Sequence, residues 1–414
     1  MAACAAEAGQ VARRRVFYIP GYDPFPPRRY RELYRKEAAR QAGISGYRIA
    51  LLPGGGQAPG WQVTAEMDGA RSEAAIEVLV WSDIVQESMS HSIPGTYAQL
   101  LRTAWVYIST GALFRLMRLR KGPVIAGFYP VAMLLAQLAL ALAAAWLALA
   151  AAARLWALAG GAEGWGALAG VLAGGLAGWA VLAWFRARDG KLFAYYLMHD
   201  LAFSARRRGA TPPALEARIA AFAERIGGAL AEDVDEVLVV GHSSGAHLAV
   251  SALAELIRQG RVPADGPALS FLSLGQVVPM VSFLPEAHRL RADLAFLSAR
   301  DEIAWVDVSA PGDGCSFALC DPVAVSGVAP PGKRWPLVIS AAFTRTLSPA
   351  RWKALRWRFF RLHFQYLCAF DRPGDYDYFR ITAGPRTLGA RFAGRRPSRS
   401  RIERAASGYR GQAA

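Results

Sequence analysis

The chain has 414 residues, 53% of them hydrophobic and 19% charged, which is too long and too apolar for a disordered adaptor or a small disulfide-stapled scaffold. Forty-eight Lys+Arg against 32 Asp+Glu leave a net charge of +16, but only five of those cations are Lys; with Ala, Gly and Arg abundant throughout, the bias reflects a GC-rich genome and is not read as a nucleic-acid footprint. A basic surplus equally suits a surface held near anionic lipid, and the sparse cysteines Cys4, Cys315, Cys320 and Cys368 point to a reducing compartment.

Met1 to Arg15 is small and polar, ends in three arginines and has no apolar core, so no cleaved signal peptide is expected. Val16 to Ile19, Tyr47 to Leu52 and Ile76 to Trp81 are short apolar runs bounded by Gly, Pro or polar residues, and Arg28 to Gln41 is a charged helix between the first two. Gly95 to Arg120 mixes Leu100, Trp105, Phe114 and Met117 with arginines, a pattern that fits a helix lying on a membrane surface and an ordinary surface helix equally well.

Pro123 to Ala153 and Trp165 to Phe185 carry no charge. A span needs roughly 20 apolar residues, so both stretches qualify as transmembrane helices, with a buried Ala-rich hairpin as the other reading. Gly166, Gly170, Gly174 and Gly178 recur every four residues and clear one face for close approach of the preceding helix. The outer flanks hold Arg115, Arg118, Arg120 and Lys121 before the pair and Arg186, Arg188 and Lys191 after it, whereas the turn between has one Arg and one Glu. The positive-inside rule then has the hairpin leave from the cytoplasm and return to it, placing both termini there, in a bacterial inner membrane.

Beyond the hairpin, Thr211 to Leu230 reads as a helix started by two prolines. Val237 to Val240, Leu269 to Leu274, Ile303 to Val308 and Leu337 to Ser340 read as buried strands. The expectation is an α/β fold with a mostly parallel sheet and flanking helices, interrupted by the inserted two-helix hairpin. Residues 1–122 form its first part, with the surface helix at 95–120; 123–185 form the hairpin, 186–385 the second part, and 386–414 a basic, disordered tail.

The segment Val237 to Val250 runs from a buried strand through Gly241-His242-Ser243-Ser244-Gly245 into an apolar-faced helix. This is the pattern of a nucleophile elbow, a turn so tight that its flanking positions must lack side chains, which lifts the Ser243 hydroxyl above the sheet at a helix N-terminus. A structural Gly-Ser turn is the other reading.

With strand before and helix after, the chain resembles the α/β-hydrolase superfamily, particularly its lipase and esterase branch, over most of its length outside the hairpin. The resemblance implies a serine hydrolase acting on an ester or thioester. It also implies a strand-ending loop that supplies an oxyanion-hole amide; Val16-Phe-Tyr-Ile-Pro-Gly-Tyr22 holds that place, with Pro20 where such enzymes often have His. Tyr22 beside Gly21 is the candidate donor, paired with Ser244. Superfamily order is Ser, acid, His, which leaves His247, His288 and His363. His247 sits in the helix after the elbow and His288 comes too early, so His363, in a His-x-x-Tyr segment ending at Tyr366, is the expected base. Asp313, in the loop after the Trp305 strand, is the favoured acid; Asp321, in Cys-Asp-Pro-Val, is the alternative, ahead of Asp301 and Asp307. His91 is a candidate pocket residue.

Cys315, Cys320, His363 and Cys368 have no standard zinc spacing, and Gly54 to Gly56 lack the following helix a phosphate loop needs. No metal or cofactor is expected. The expected partners are the lipid bilayer and a lipid-like or small-molecule ester substrate, with no nucleic acid and protein partners unassigned. The contrasting expectation is an inactive α/β-hydrolase-like membrane scaffold.

Overall fold

The computed structural model describes residues 9–53, 59–89 and 92–412. His91 and Gly54 to Gly56 lie outside them. One eight-stranded sheet organises the chain, with strand order β2-β3-β4-β1-β5-β6-β7-β8. Its strands are β1 (Arg13–Ile19), β2 (Arg48–Pro53), β3 (Gly60–Met67), β4 (Ala70–Val78), β5 (Glu236–His242), β6 (Ala268–Leu274), β7 (Ile303–Ser309) and β8 (Leu337–Ser340). All neighbours from β4 to β8 pair parallel, whereas β2, β3 and β4 form an antiparallel meander at one edge.

The sheet's parallel centre is buried on both faces, as its unbroken apolar runs require: every residue of β5 is buried. The amphipathic helix α1 (Arg28–Ser45) turns Tyr30, Tyr34 and Ala38 inward toward that core. Strand β3 was not anticipated. Its link to β4 is Asp68-Gly69, both at positive φ (54° and 78°), the two-residue hairpin chemistry that favours Asp-Gly. The expected strand at 76–81 accordingly begins earlier and stops at Val78.

Residues 1–86, 107–126 and 207–414 form one compact unit, and 87–106 with 127–206 a second. The expected surface helix at 95–120 is two helices, α2 (Ile93–Ser109) and α3 (Ala112–Leu119), broken at Gly111, whose φ is 69°. Helix α4 (Lys121–Leu158), which starts in the first unit and runs on in the second, and α5 (Glu163–Ala187) form a hairpin, each long and apolar enough to cross a membrane. Only 17% and 11% of their most apolar windows are buried, with Leu142, Trp146 and Leu176 largely exposed. That exposure rules out a buried core hairpin. The glycine face of α5 meets α4: a Cβ at Gly174 would lie 2.8 Å from the Ala145 carbonyl oxygen and one at Gly178 3.2 Å from that of Ala141, so backbones touch where side chains are missing.

The segment from 386 is not the disordered tail its composition predicts. Arg14 and Glu236, both fully buried, form an ion pair (2.5 Å) between β1 and β5. Arg14 also donates to the carbonyls of Gly384 (2.8 Å) and Arg386 (2.5 Å), while Glu236 accepts from Ser270 Oγ and the Leu388 amide. The buried pair is thereby fully hydrogen-bonded, the condition under which ions are tolerated inside a protein. Further along, the Asp321 amide donates to Ile402 O, the Ile402 amide to Leu319 O, and Arg291 Nε to Gly411 O. These contacts fasten the tail to the domain.

Glu236→Gln leaves the Arg14 charge buried without its counter-ion. Stability is expected to fall by about 3–5 kcal/mol, read as a lowered unfolding temperature together with faster proteolysis after residue 386.

Candidate functional site

The site lies at the carboxyl ends of the parallel strands, where open α/β sheets bind ligands. Strand β5 ends at His242 and helix α6 (Gly245–Arg258) begins three residues later. Ser243 occupies the turn with φ 57°, a left-handed conformation that a non-glycine residue adopts only when its surroundings enforce it. Those surroundings are two glycines. A Cβ at Gly245 would collide with the Ile19 carbonyl oxygen, and one at Gly241 would lie 2.7 Å from the Ala246 Cα. The sequence spacing Gly-x-Ser-x-Gly is therefore a packing requirement here. The Ser243 amide donates to Leu274 O of β6 (2.9 Å), fixing the turn from the other side.

The loop after β1 faces the serine. A Cβ at Gly21 would sit 3.1 Å from Ser243 Cβ and 3.5 Å from its Oγ. Trp81 Nε1 donates to Pro20 O (2.9 Å), and the Asp23 carboxylate accepts from the Phe25 amide (3.0 Å) and the Tyr30 hydroxyl. The Tyr22 ring is buried, with its hydroxyl donating to Val85 O (3.4 Å). Ser244 stands at the N-terminus of α6, where backbone N–H groups lack helical acceptors and attract negative charge.

Of the histidines considered, the structure brings His363 together with Asp313. His363 Nδ1 donates to Asp313 Oδ2 (2.8 Å), and both residues are buried. Burial works against ionising Asp313, but attraction to His363, its hydrogen bond and the Cys315 amide outweigh that and hold the carboxyl below the usual range. An ionised acceptor places the proton on Nδ1 and leaves Nε2 as the lone-pair nitrogen. His363 Nε2 is buried and has no hydrogen-bond partner among the described residues. A Cβ at Gly275 would lie 3.1 Å from His363 Cε1. Because the neighbouring Leu274 carbonyl accepts from Ser243, serine and imidazole both border the short stretch 274–275.

Asp321, the alternative acid, is committed elsewhere. It caps the turn Pro322–Val325 by accepting from the amides of Val323 and Ala324 and pairs with Lys333 at 2.7 Å; burial holds its carboxyl above the usual range despite that lysine. Asp307 is buried in β7, accepting from Ser273 Oγ (2.6 Å), and Asp301 pairs with Arg334. His288 lies near Glu286, and burial pushes His247 down to about 4.

Three contributors escaped the sequence reading. Tyr366 donates to Asp313 Oδ2 (3.0 Å) and accepts from the Ala310 amide (3.0 Å), so it fixes the acid loop to β7. His242, read only as an elbow residue, stacks on His363 with centroids 4.8 Å apart and contacts its carbonyl oxygen through Nε2 (3.1 Å). Burial, then repulsion from His363, pushes His242 down to about 3, so it is neutral and Nε2 carries the donated proton. Gly275, with φ 52°, leaves room for both His363 and the Tyr366 ring. The His-x-x-Tyr spacing was the only sequence signal for any of them.

Among the described residues, one set of metal-ligating atoms falls within 4.8 Å: Asp313, Cys315 and His363. Two of these already bond each other, and the set omits Cys320 and Cys368. Chemically, the arrangement offers a hydroxyl on a rigid turn, an imidazole whose free nitrogen can accept a proton, and a carboxylate that stabilises the resulting cation.

Tyr366→Phe strands the Ala310 amide and removes one donor from Asp313. A loss of about 1–3 kcal/mol in stability is expected, measured as a fall in the unfolding midpoint. No family model, curated protein or solved structure matches this chain.

Proposed function

We propose that the chain is a membrane-anchored serine hydrolase of the α/β-hydrolase type, cleaving an ester or thioester of a lipid-like acyl substrate. The observation that carries this reading is His363, with Nδ1 held by Asp313 and Nε2 unpartnered beside an elbow that presents Ser243. In this mechanism His363 Nε2 takes the Ser243 hydroxyl proton as Oγ attacks the substrate carbonyl. Asp313 orients the imidazole and stabilises its charged form, as a triad carboxylate does. The amides of Tyr22 and Ser244 receive the developing oxyanion. His363 then returns the proton to the leaving alcohol or thiol, and water releases the acyl group from Ser243 by the same steps in reverse.

The membrane assignment rests on the exposed apolar hairpin α4–α5, and the cations flanking it support an orientation with both termini on the cytoplasmic side of a bacterial inner membrane. The acyl assignment rests on the hairpin's insertion between the two parts of the sheet, upstream of the elbow.

Fluorophosphonate labelling of the detergent-solubilised protein tests the reading. Wild type is expected to label at Ser243, and Ser243→Ala and His363→Ala are expected to lose labelling. An unlabelled, well-folded wild type would favour an inactive scaffold with the same fold. The choice of acid is tested with the same probe: Asp313→Asn is expected to slow labelling by up to about 10⁴-fold. Asp321→Asn should instead lower thermal stability while the labelling rate of the folded fraction stays near wild type.

A further inference from the structure

The residues just before His363 form a segment that the chemistry above does not use. From Pro349 to His363 the chain carries five cations and no Asp or Glu. Its two helices, α7 (Pro349–Leu355) and α8 (Phe359–His363), are held on the Asp313 loop from one side. A Cβ at Gly312 would lie 2.5 Å from the Trp352 ring, and one at Gly314 3.1 Å from the Phe359 ring. The opposite side faces outward. Trp357 is 73% exposed and Phe360 40% exposed, with Lys353, Arg356, Arg358 and Arg361 exposed among them. The same chemistry continues on the loop after β1: Phe25 is exposed, and Arg29 lies over the rings of both Phe25 (5.1 Å) and Phe364 (5.2 Å).

This aromatic and basic surface adjoins the start of α4. Arg120 Nε donates to Ala318 O (2.9 Å), and a Cβ at Gly122 would lie 3.4 Å from Gly314 Cα. Gly314 is therefore shared between the first turn of the apolar helix and Phe359. Where α4 leaves the domain for the bilayer, the outward face of 353–361 has the composition of a headgroup-layer contact: amphipathic aromatics that favour the interface and arginines that attract anionic lipid.

We propose that the outward face of Lys353–Arg361 docks on an anionic phospholipid surface, seating the rim of the site against the membrane. The inference rests on the membrane reading given above, and it assigns the delivery route: an anionic bilayer presents the acyl substrate at the edge formed by this segment. Charge complementarity and continuity with the start of α4 select lipid over a protein partner.

The test uses the full chain reconstituted in phosphatidylcholine vesicles with or without phosphatidylglycerol, the acyl chains brominated to quench nearby tryptophan. The emission of Trp357 is taken as the difference between wild type and Trp357→Phe. It is expected to be quenched in the anionic vesicles and much less in neutral ones. In the Arg356→Gln, Arg358→Gln, Arg361→Gln variant, attachment should weaken about fivefold per arginine removed, and the quenching should fall accordingly. Trp357 emission that escapes quenching in anionic vesicles, or quenching unchanged in the triple variant, overturns the proposal. Labelling by a water-soluble fluorophosphonate on the same samples separates the two readings. Intact labelling without quenching removes only the docking surface, whereas quenching without labelling removes the hydrolase and leaves the surface standing.

Discussion

The close approach of helix α6 to the end of β1 is the constraint on which the site depends. The Gly245 backbone lies directly under the carbonyls of Ile19 and Pro20, nearer than any side chain allows, so the strand-to-helix turn must be made in three residues. Ser243 absorbs the cost by adopting φ 57°, a conformation worth of order 1–3 kcal/mol in strain for a non-glycine residue. Sheet hydrogen bonds from β6 and the burial of β5 hold it there. The same contact brings Gly21 opposite the serine. One glycine thus fixes the hydroxyl and the loop facing it together.

The acid and the imidazole are arranged on a different principle. They come from segments 50 residues apart in sequence and meet because Tyr366 joins the Asp313 loop to the end of β7, while His242 braces the His363 backbone from the elbow. Asp313 sits between two glycines because aromatic rings occupy the side-chain space on either side, Trp352 at Gly312 and Phe359 at Gly314. An acid so enclosed has its geometry fixed by packing. Asp321 has equally good hydrogen bonds, but they belong to a helix cap and a lysine, which makes it a structural group.

What was legible in the sequence was what local patterning dictates. The buried strands β5, β6 and β7, the elbow and the two apolar helices are each specified within a few residues by hydrophobic period and glycine placement. The choice between Asp313 and Asp321 was not so specified, because both stand in turn-rich loops after the same strand and only the fold brings His363 to one of them. Strand β3 was missed because its alternation, buried at Trp61, Val63, Ala65 and Met67, is interleaved with polar residues, and the Asp68-Gly69 signal went unused. The tail was misjudged for a physical reason. Its composition says that it cannot form a core of its own, which is true; it is ordered because Arg14 and Glu236, far away in sequence, need its backbone groups to satisfy a buried ion pair.

Within the first unit, the first turn of α4 and the Asp313 loop meet at one residue. Gly314 follows the acid immediately, faces Gly122 at the start of α4, and receives the ring of Phe359. A side chain at Gly314 would crowd the Phe359 ring at 3.1 Å, whereas one at Gly122 would make an ordinary contact with Gly314. Gly122 follows Arg118, Arg120 and Lys121 in the chain, and Gly314 follows the carboxylate of Asp313. On the proposed reading, the cations of Lys353–Arg361 serve to meet anionic lipid, and the carboxylate that orients His363 lies behind the Trp352 and Phe359 rings packed on its flanking glycines.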